Sequence, residues 1–208
     1  TGLGEMMNVP GVLAGDADTL AKIRLAAAQG KQVDGHSPGL TGRELDVYAA
    51  AGVGTDHECT TPEEALERIR RGMYVILREG SAARDLLRLL PAVDPMNARR
   101  CLFCTDDRQP VDILERGHID GHLRMAVAAG LDPVTAVRMA TLNAAECYGL
   151  RDKGGIAPGR RADLALVDDL RDFRVRAVWA GGRRVAEDGR MLEELPQLDP
   201  GALRGSVN

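Results

Sequence analysis

Apolar and polar positions change their period repeatedly along the chain, and each change predicts a new element. Residues 1–7 read as the tail of a strand that delivers Glu5. From Gly15 to Gln29, Leu20, Ile23, Leu25 and Ala27 fall among charges at near-helical spacing, and Gly30 closes the run. Lys31–His36 is a short strand with a turn at its end, punctuated by Ser37-Pro38-Gly39-Leu40. Thr41 with Glu44 three residues later is a capping box, which starts a helix over Gly42–Ala51. A brief strand around Val53 ends at Asp56-His57. Thr61-Pro62-Glu63-Glu64 is a second helix start, with Leu66, Ile69 and Met73 on one face. Arg68, Arg70 and Arg71 suit the C-terminal end of its dipole. Tyr74-Val75-Ile76-Leu77 is a near-continuous apolar strand, the pattern of a strand buried on both faces. Ala82–Leu90 reads as helix up to Pro91, and Arg100–Cys104 as the next strand, ending at Asp106-Asp107.

Strand and helix thus alternate about five times, with polar residues always following the strand. That order predicts a parallel sheet whose chemistry gathers beyond the carboxyl ends of its strands. Too few strands are present to close an eight-stranded barrel, an open sheet remains compatible, and no glycine-rich phosphate loop occurs. After Asp107 the texture changes. Val111–Ala129 and Pro133–Tyr148 read as two helices, Gly154–Gly159 as a turn cluster, and Ala162–Val167 and Val175–Ala180 as strands. A hairpin turning at Gly181-Gly182 completes a small all-β appendage from about residue 155.

Composition narrows the function classes. The chain has 208 residues, enough for one domain or a domain with an appendage, and its 44% apolar share supports a substantial core. Only 3% is aromatic, so that core rests on Leu, Val, Ala and Met. A net charge of -4 leaves no basic footprint for nucleic acid. No apolar run reaches the roughly 20 residues that cross a bilayer, and no signal peptide is visible. Cys101 and Cys104 form a C-x-x-C with no second copy, and all four cysteines read as buried thiols in a reducing cytoplasm. Thr1-Gly2-Leu3-Gly4 opens as if the chain began within a domain.

Glu5, His36, His57 and Asp106 each close a strand-like stretch, so a parallel sheet would bring all four to one mouth. Imidazole with carboxylate suits zinc, iron or manganese, and such ions generate hydroxide for attack on an sp² carbon. Each residue also has a plain reading: a histidine bonding in a loop, or Asp106-Asp107 as a helix N-terminal cluster. Their joint placement favours the metal. His118 and His122 share a helical face but lack the Glu of H-E-x-x-H, and read as packing. Arg78 and Ser81 are positioned to contact substrate, although Arg78 has Glu79 and Glu58 as alternative partners.

The runs Gly2–Asn8, Asp34–Leu40, Thr55–Thr61, Arg71–Ala82 and Arg99–Arg108 resemble the bacterial adenine deaminases of the amidohydrolase superfamily. Met139–Glu146 and Gly159–Leu164 match motifs that are superfamily-wide, so the likeness covers essentially the whole chain. The resemblance implies an α/β fold. Residues 1–152 would form part of a metal-binding (β/α)8 TIM-type barrel, about strands 4 to 8, and residues 153–208 part of a small β-sandwich domain. It implies hydrolysis of adenine to hypoxanthine and ammonia, in purine salvage, at a pair of manganese or iron ions, with zinc as a third candidate. Carried over, Glu5 bridges the metals, His36 and His57 ligate, and Asp106 touches one metal and relays a proton to the leaving amine. Glu58 protonates a ring nitrogen, and Arg78, Glu79 and Ser81 shape the purine pocket.

One family feature is missing. Those deaminases carry a His-x-His after the first barrel strand, and no His-x-His occurs here. The expectation is a central fragment with exposed sheet edges, prone to aggregate, poor at binding metal and inactive alone. A cytoplasmic homo-oligomer with a small-molecule substrate, and no nucleic-acid or membrane partner, is implied for the complete enzyme. Two other readings stand beside it. One is a dihydroorotase- or hydantoinase-like amidase of cyclic amides, whose members carry lysine where Glu5 stands. The other is a non-catalytic barrel fragment or partner subunit.

Overall fold

A computed structural model of the chain describes residues 2–194. Thr1 and residues 195–208 are outside the described residues, and with them the far end of the expected β appendage. The element order begins β1 (Gly2–Met6), α1 (Val9–Ala14), α2 (Ala17–Ala28), β2 (Gln32–Gly35), α3 (Gly42–Ala50), β3 (Thr55–Asp56), α4 (Pro62–Arg70) and β4 (Tyr74–Arg78). It continues with α5 (Leu86–Leu89), β5 (Cys101–Cys104), α6 (Pro110–Arg116), α7 (Ile119–Ala128), α8 (Pro133–Ala140) and α9 (Leu142–Cys147). Four strands close it: β6 (Leu164–Val167), β7 (Val175–Ala180), β8 (Arg183–Glu187) and β9 (Arg190–Met191).

The first five strands run parallel in chain order, β1 beside β2 and β3-β4-β5 together. The two groups meet where Gly54 N–H donates to the Val33 carbonyl at 3.1 Å and Tyr74 N–H to the Gly54 carbonyl at 2.8 Å. Glycine is required at 35 for this approach, because a Cβ there would stand 2.3 Å from the Thr55 carbonyl oxygen. Side chains alternate across the strands as a pleat dictates. Val75, Leu77, Cys101 and Phe103 face one apolar cluster with Leu86, Leu89, Ala126 and Met139 of the helices. Ile76 and Leu102 face the opposite side, where Cys147 and Tyr148 cover them. Burial on both faces explains why β4 reads as a continuous apolar run. Met6, Val33, Ile23, Leu45 and Tyr48 form a further cluster that packs α2 and α3 onto β1 and β2.

Several boundaries differ from the sequence pattern. Val9–Ala14 is helical, a stretch to which the pattern assigned no element. The helix expected over Ala82–Leu90 shrinks to α5, because its first half is spent in a loop. There Gly80 N–H bonds the Ala83 carbonyl at 2.7 Å and Asp85 N–H the Arg78 carbonyl at 3.0 Å. Val111–Ala129 divides into α6 and α7 at Gly117, whose φ of 84° is left-handed. Pro133–Tyr148 divides at Thr141, whose hydroxyl donates back to the Val137 carbonyl at 2.7 Å. The appendage is a four-stranded antiparallel sheet in the order β6-β7-β8-β9. Its β7–β8 hairpin turns on Gly181 and Gly182, both with positive φ, as the sequence predicts.

Candidate metal centre

Each parallel strand delivers polar groups at its carboxyl end. Glu5 lies in β1, His36 directly follows β2, His57 follows β3, Arg78 ends β4, and Asp106 comes two residues after β5. The geometry brings Glu5, His36 and His57 together, with a ligand atom of each within 4.8 Å of the others. A second group joins His57, Glu58 and Asp106 by the same measure.

Between the two histidines and the carboxylates of Glu5 and Glu58 the distances are too long for hydrogen bonds. His36 Nδ1 stands 3.5 Å from Glu5 Oε2 and 3.6 Å from Glu58 Oε1, and His57 Nε2 3.7 Å from Glu5 Oε1 and 3.5 Å from Glu58 Oε1. His36 Nδ1 is buried and has no hydrogen-bond partner. Two imidazoles and two carboxylates therefore face one another without bonding, at a spacing that suits a divalent cation. An orphaned imidazole nitrogen is costly unless something fills its lone pair. The residues present thus fit a metal, with borderline nitrogen and hard oxygen donors together.

Several groups aim these donors. Asp34 Oδ2 lies 3.6 Å from His57 Nδ1, and its other oxygen accepts the Thr55 hydroxyl. This favours the tautomer with the proton on Nδ1 and leaves Nε2 turned to Glu5 and Glu58. Burial opposes charge on His57, but Asp34, Glu58 and Glu5 outweigh it and raise its pKa above the ordinary value. The Tyr48 hydroxyl donates to the Met6 carbonyl at 2.5 Å and accepts from His36 N–H at 3.1 Å, tying β1 to the histidine loop.

Arg78 is buried among three carboxylates. It bonds Glu58, reaches Asp106 Oδ2 at 2.9 Å and stands 3.4 Å from Asp85 Oδ2. Glu58, expected as a proton donor, is therefore held by a guanidinium beside both histidines. Asp106 has a left-handed φ of 46°, a conformation that aspartate tolerates better than most residues. Glu79 is buried, and desolvation raises its carboxyl above the ordinary range. Ser81 is fully engaged: its hydroxyl donates to Asp112 and accepts Gln109 N–H at 2.8 Å. Asp107 accepts Ser81 N–H at 3.1 Å and Ala82 N–H at 2.8 Å, which depress its pKa. Ser81 and Asp107 thus lock two loops together.

His118 and His122 stand apart from these groups. His118 precedes α7, and His122 is fully buried against the Cys104 and His118 carbonyls. All four cysteines are free thiols. The sequence pattern marked Asp34 and Asp56 only as carboxylates beside the histidines, without their supporting roles, and missed Asp85 and the buried role of Arg68. An arginine fitted to a helix dipole is instead completely inside the protein. Its available signal was position, three residues from Ala65 and one from Ile69 on the packed face of α4.

The profile of the Amidohydrolase family matches residues 3–185. Among curated proteins, the adenine deaminase of Nitratidesulfovibrio vulgaris is 68% identical over 207 residues, which cover 100% of this chain and 36% of that protein. The adenine deaminase of Thermosipho africanus is 51% identical over 209 residues, 99% of this chain and 36% of its own. The chain thus spans little more than a third of the length of these relatives. Among solved structures, the β-aspartyl dipeptidase of Fervidobacterium islandicum AW-1 superposes with a TM-score of 0.67 at 20% identity, covering 92% of this chain and 56% of that one. The N-acetyl-D-glucosamine-6-phosphate deacetylase of Mycobacterium smegmatis gives 0.63 at 23% identity, covering 82% and 52%. Those likenesses show a shared fold, and together with a family profile that runs through nearly every described element they place this chain in the amidohydrolase family.

Proposed function

We propose that this chain carries metal-site and purine-binding residues of a hydrolase that converts adenine and water to hypoxanthine and ammonia. The observation that carries the reading is the meeting of Glu5, His36 and His57 around an orphaned imidazole nitrogen. It occurs in a chain 68% identical throughout to a protein named adenine deaminase. In this reading residues 1–152 are about strands 4 to 8 of a (β/α)8 barrel, and residues 153–208 belong to a β-sandwich. The enzyme would serve purine salvage in the cytoplasm as a homo-oligomer.

Glu5, His36, His57 and Asp106 would hold two divalent ions, manganese or iron, with zinc as the other candidate. Bound there, the ions would lower the pKa of a water molecule toward neutrality. The chain's own groups do the rest. Asp106 takes the proton of the attacking water and passes it to the departing amine at the purine 6-position. Glu58, entering as the neutral acid, donates a proton to a ring nitrogen as the water oxygen adds to the adjacent carbon, and takes one back from the resulting hydroxyl as ammonia leaves, which gives the carbonyl of hypoxanthine. Arg78 lies between Glu58 and Asp106, and before Glu58 takes up its proton it keeps the approach of the two carboxylates from becoming repulsive. Arg78, Glu79 and Ser81 would shape the purine pocket, Ser81 through the loop it holds.

The test is ammonia release from adenine by the native polypeptide that contains this chain, with metal content determined on the same sample and hydantoin as control substrate. His57→Ala and Asp106→Ala are each expected to abolish turnover, and His57→Ala also to reduce bound metal. Near-normal turnover by either variant would remove the site assignment. Turnover of hydantoin in place of adenine would move the reading to the cyclic amidases.

A further inference from the structure

We infer that Arg68, Asp56 and Ser37 form a buried positioning device that sets the relative placement of the His36 and His57 rings. This rests on the proposal that those histidines bind metal.

Asp56 immediately precedes His57, and Ser37 immediately follows His36. Asp56 and Arg68 are completely buried, and Ser37 is 1% exposed. The guanidinium is used on every side. Its Nε donates to Asp56 Oδ2 at 2.9 Å, Nη1 to the Leu40 carbonyl at 2.9 Å, and Nη2 to the Ser37 carbonyl at 2.7 Å. Asp56 also accepts the Ser37 hydroxyl, and its Oδ1 accepts Glu58 N–H at 3.0 Å. That last bond closes a turn over His57, fixing the backbone from which the ring projects. The Ser37 contacts hold the chain just beyond His36.

One side chain of α4 is therefore bonded to both histidine loops at once. Neither loop can shift without breaking a buried charge-assisted bond, which is expensive. Stability alone does not require this placement, since a buried ion pair often contributes little beyond an apolar replacement. What it does supply is a fixed separation between two donors on different strands. Lysine in place of Arg68 keeps the charge but cannot bond Asp56, Ser37 and Leu40 in one plane.

The test uses Co²⁺ alone as probe on the native polypeptide, reading affinity and the visible ligand-field spectrum. Arg68→Lys and Ser37→Ala are compared with the parent, with Arg71→Lys as control on the exposed Asp46 pair. The expected result is folded variants by circular dichroism, Co²⁺ binding weaker by about 10–100-fold, and a changed spectrum, with Arg71→Lys unaffected. Should Arg68→Lys not fold, Ser37→Ala, which deletes a single hydroxyl, decides alone. A purely structural network would lower the unfolding midpoint and leave affinity and spectrum of the folded variants intact, and that outcome overturns the inference. His57→Ala is run alongside. If it binds Co²⁺ like the parent, the metal-centre proposal and this inference both fall. If it loses Co²⁺ while Ser37→Ala and Arg68→Lys do not, only the positioning role falls.

Discussion

His122 shows how burial and partner choice fix a protonation state. Its Nδ1 lies 2.9 Å from the His118 carbonyl and its Nε2 2.8 Å from the Cys104 carbonyl. A neutral ring has one N–H and can satisfy only one of these acceptors. Burial nevertheless dominates and lowers its pKa below the ordinary 6.5. The unfolded ring therefore gains a proton at a pH where the folded ring stays neutral. Stability is complete above about pH 6.5, and falls as the solution is acidified through that value toward the folded pKa. His122→Gln is expected to flatten this acid-side loss, measured as urea midpoints between about pH 7.5 and 5. Equal slopes in parent and variant would show that His122 is not responsible. The sequence placed His36 and His57 at strand ends because periodicity breaks there. It could not reveal that His122 meets two carbonyls, or that Arg68 turns inward, because those partners come from distant segments.

At the scale of the element, two threonines with the same local signature behave differently. Thr61 Oγ1 accepts Glu64 N–H at 3.3 Å, and Glu64 returns a bond to Thr60 N–H at 2.7 Å. Thr41 precedes α3 with Glu44 at the matching position, yet its side chain makes no capping bond. Thr61→Ala should therefore cost about 1 kcal/mol and Thr41→Ala clearly less, compared by denaturant unfolding. Equal losses would mean that the capping geometry does not govern the difference. Helix starts and buried strands were legible because caps, proline and apolar runs are local signals. The division of α6 from α7, and of α8 from α9, was not, since apolar positions continue through Gly117 and Thr141 while the backbone turns.

For the whole molecule, a parallel sheet and the two-sided burial of β4 were legible from alternation and from its apolar run, whereas the segments that cover each face were not. Among the described residues β1 pairs with β2 alone and β5 with β4 alone, so the outer side of each is an unpaired edge. On α6, Leu114 is 87% and Val111 57% exposed. Unpaired strand edges and exposed apolar side chains each favour association. The isolated chain should show a weight-average mass that rises with concentration in sedimentation or light scattering. A constant monomer mass across a wide concentration range would refute this.

The carboxyl-end placement of the candidate ligands also imposes a timetable on synthesis. Translation delivers Glu5, His36 and His57 before Arg78, and Asp106 last of the group. The three donors are therefore made while β4 and β5 are still to come, and Arg78, which bonds both Glu58 and Asp106, follows them. A stall between His57 and Arg78 would thus expose the three donors before the arginine that lies between Glu58 and Asp106 has been made.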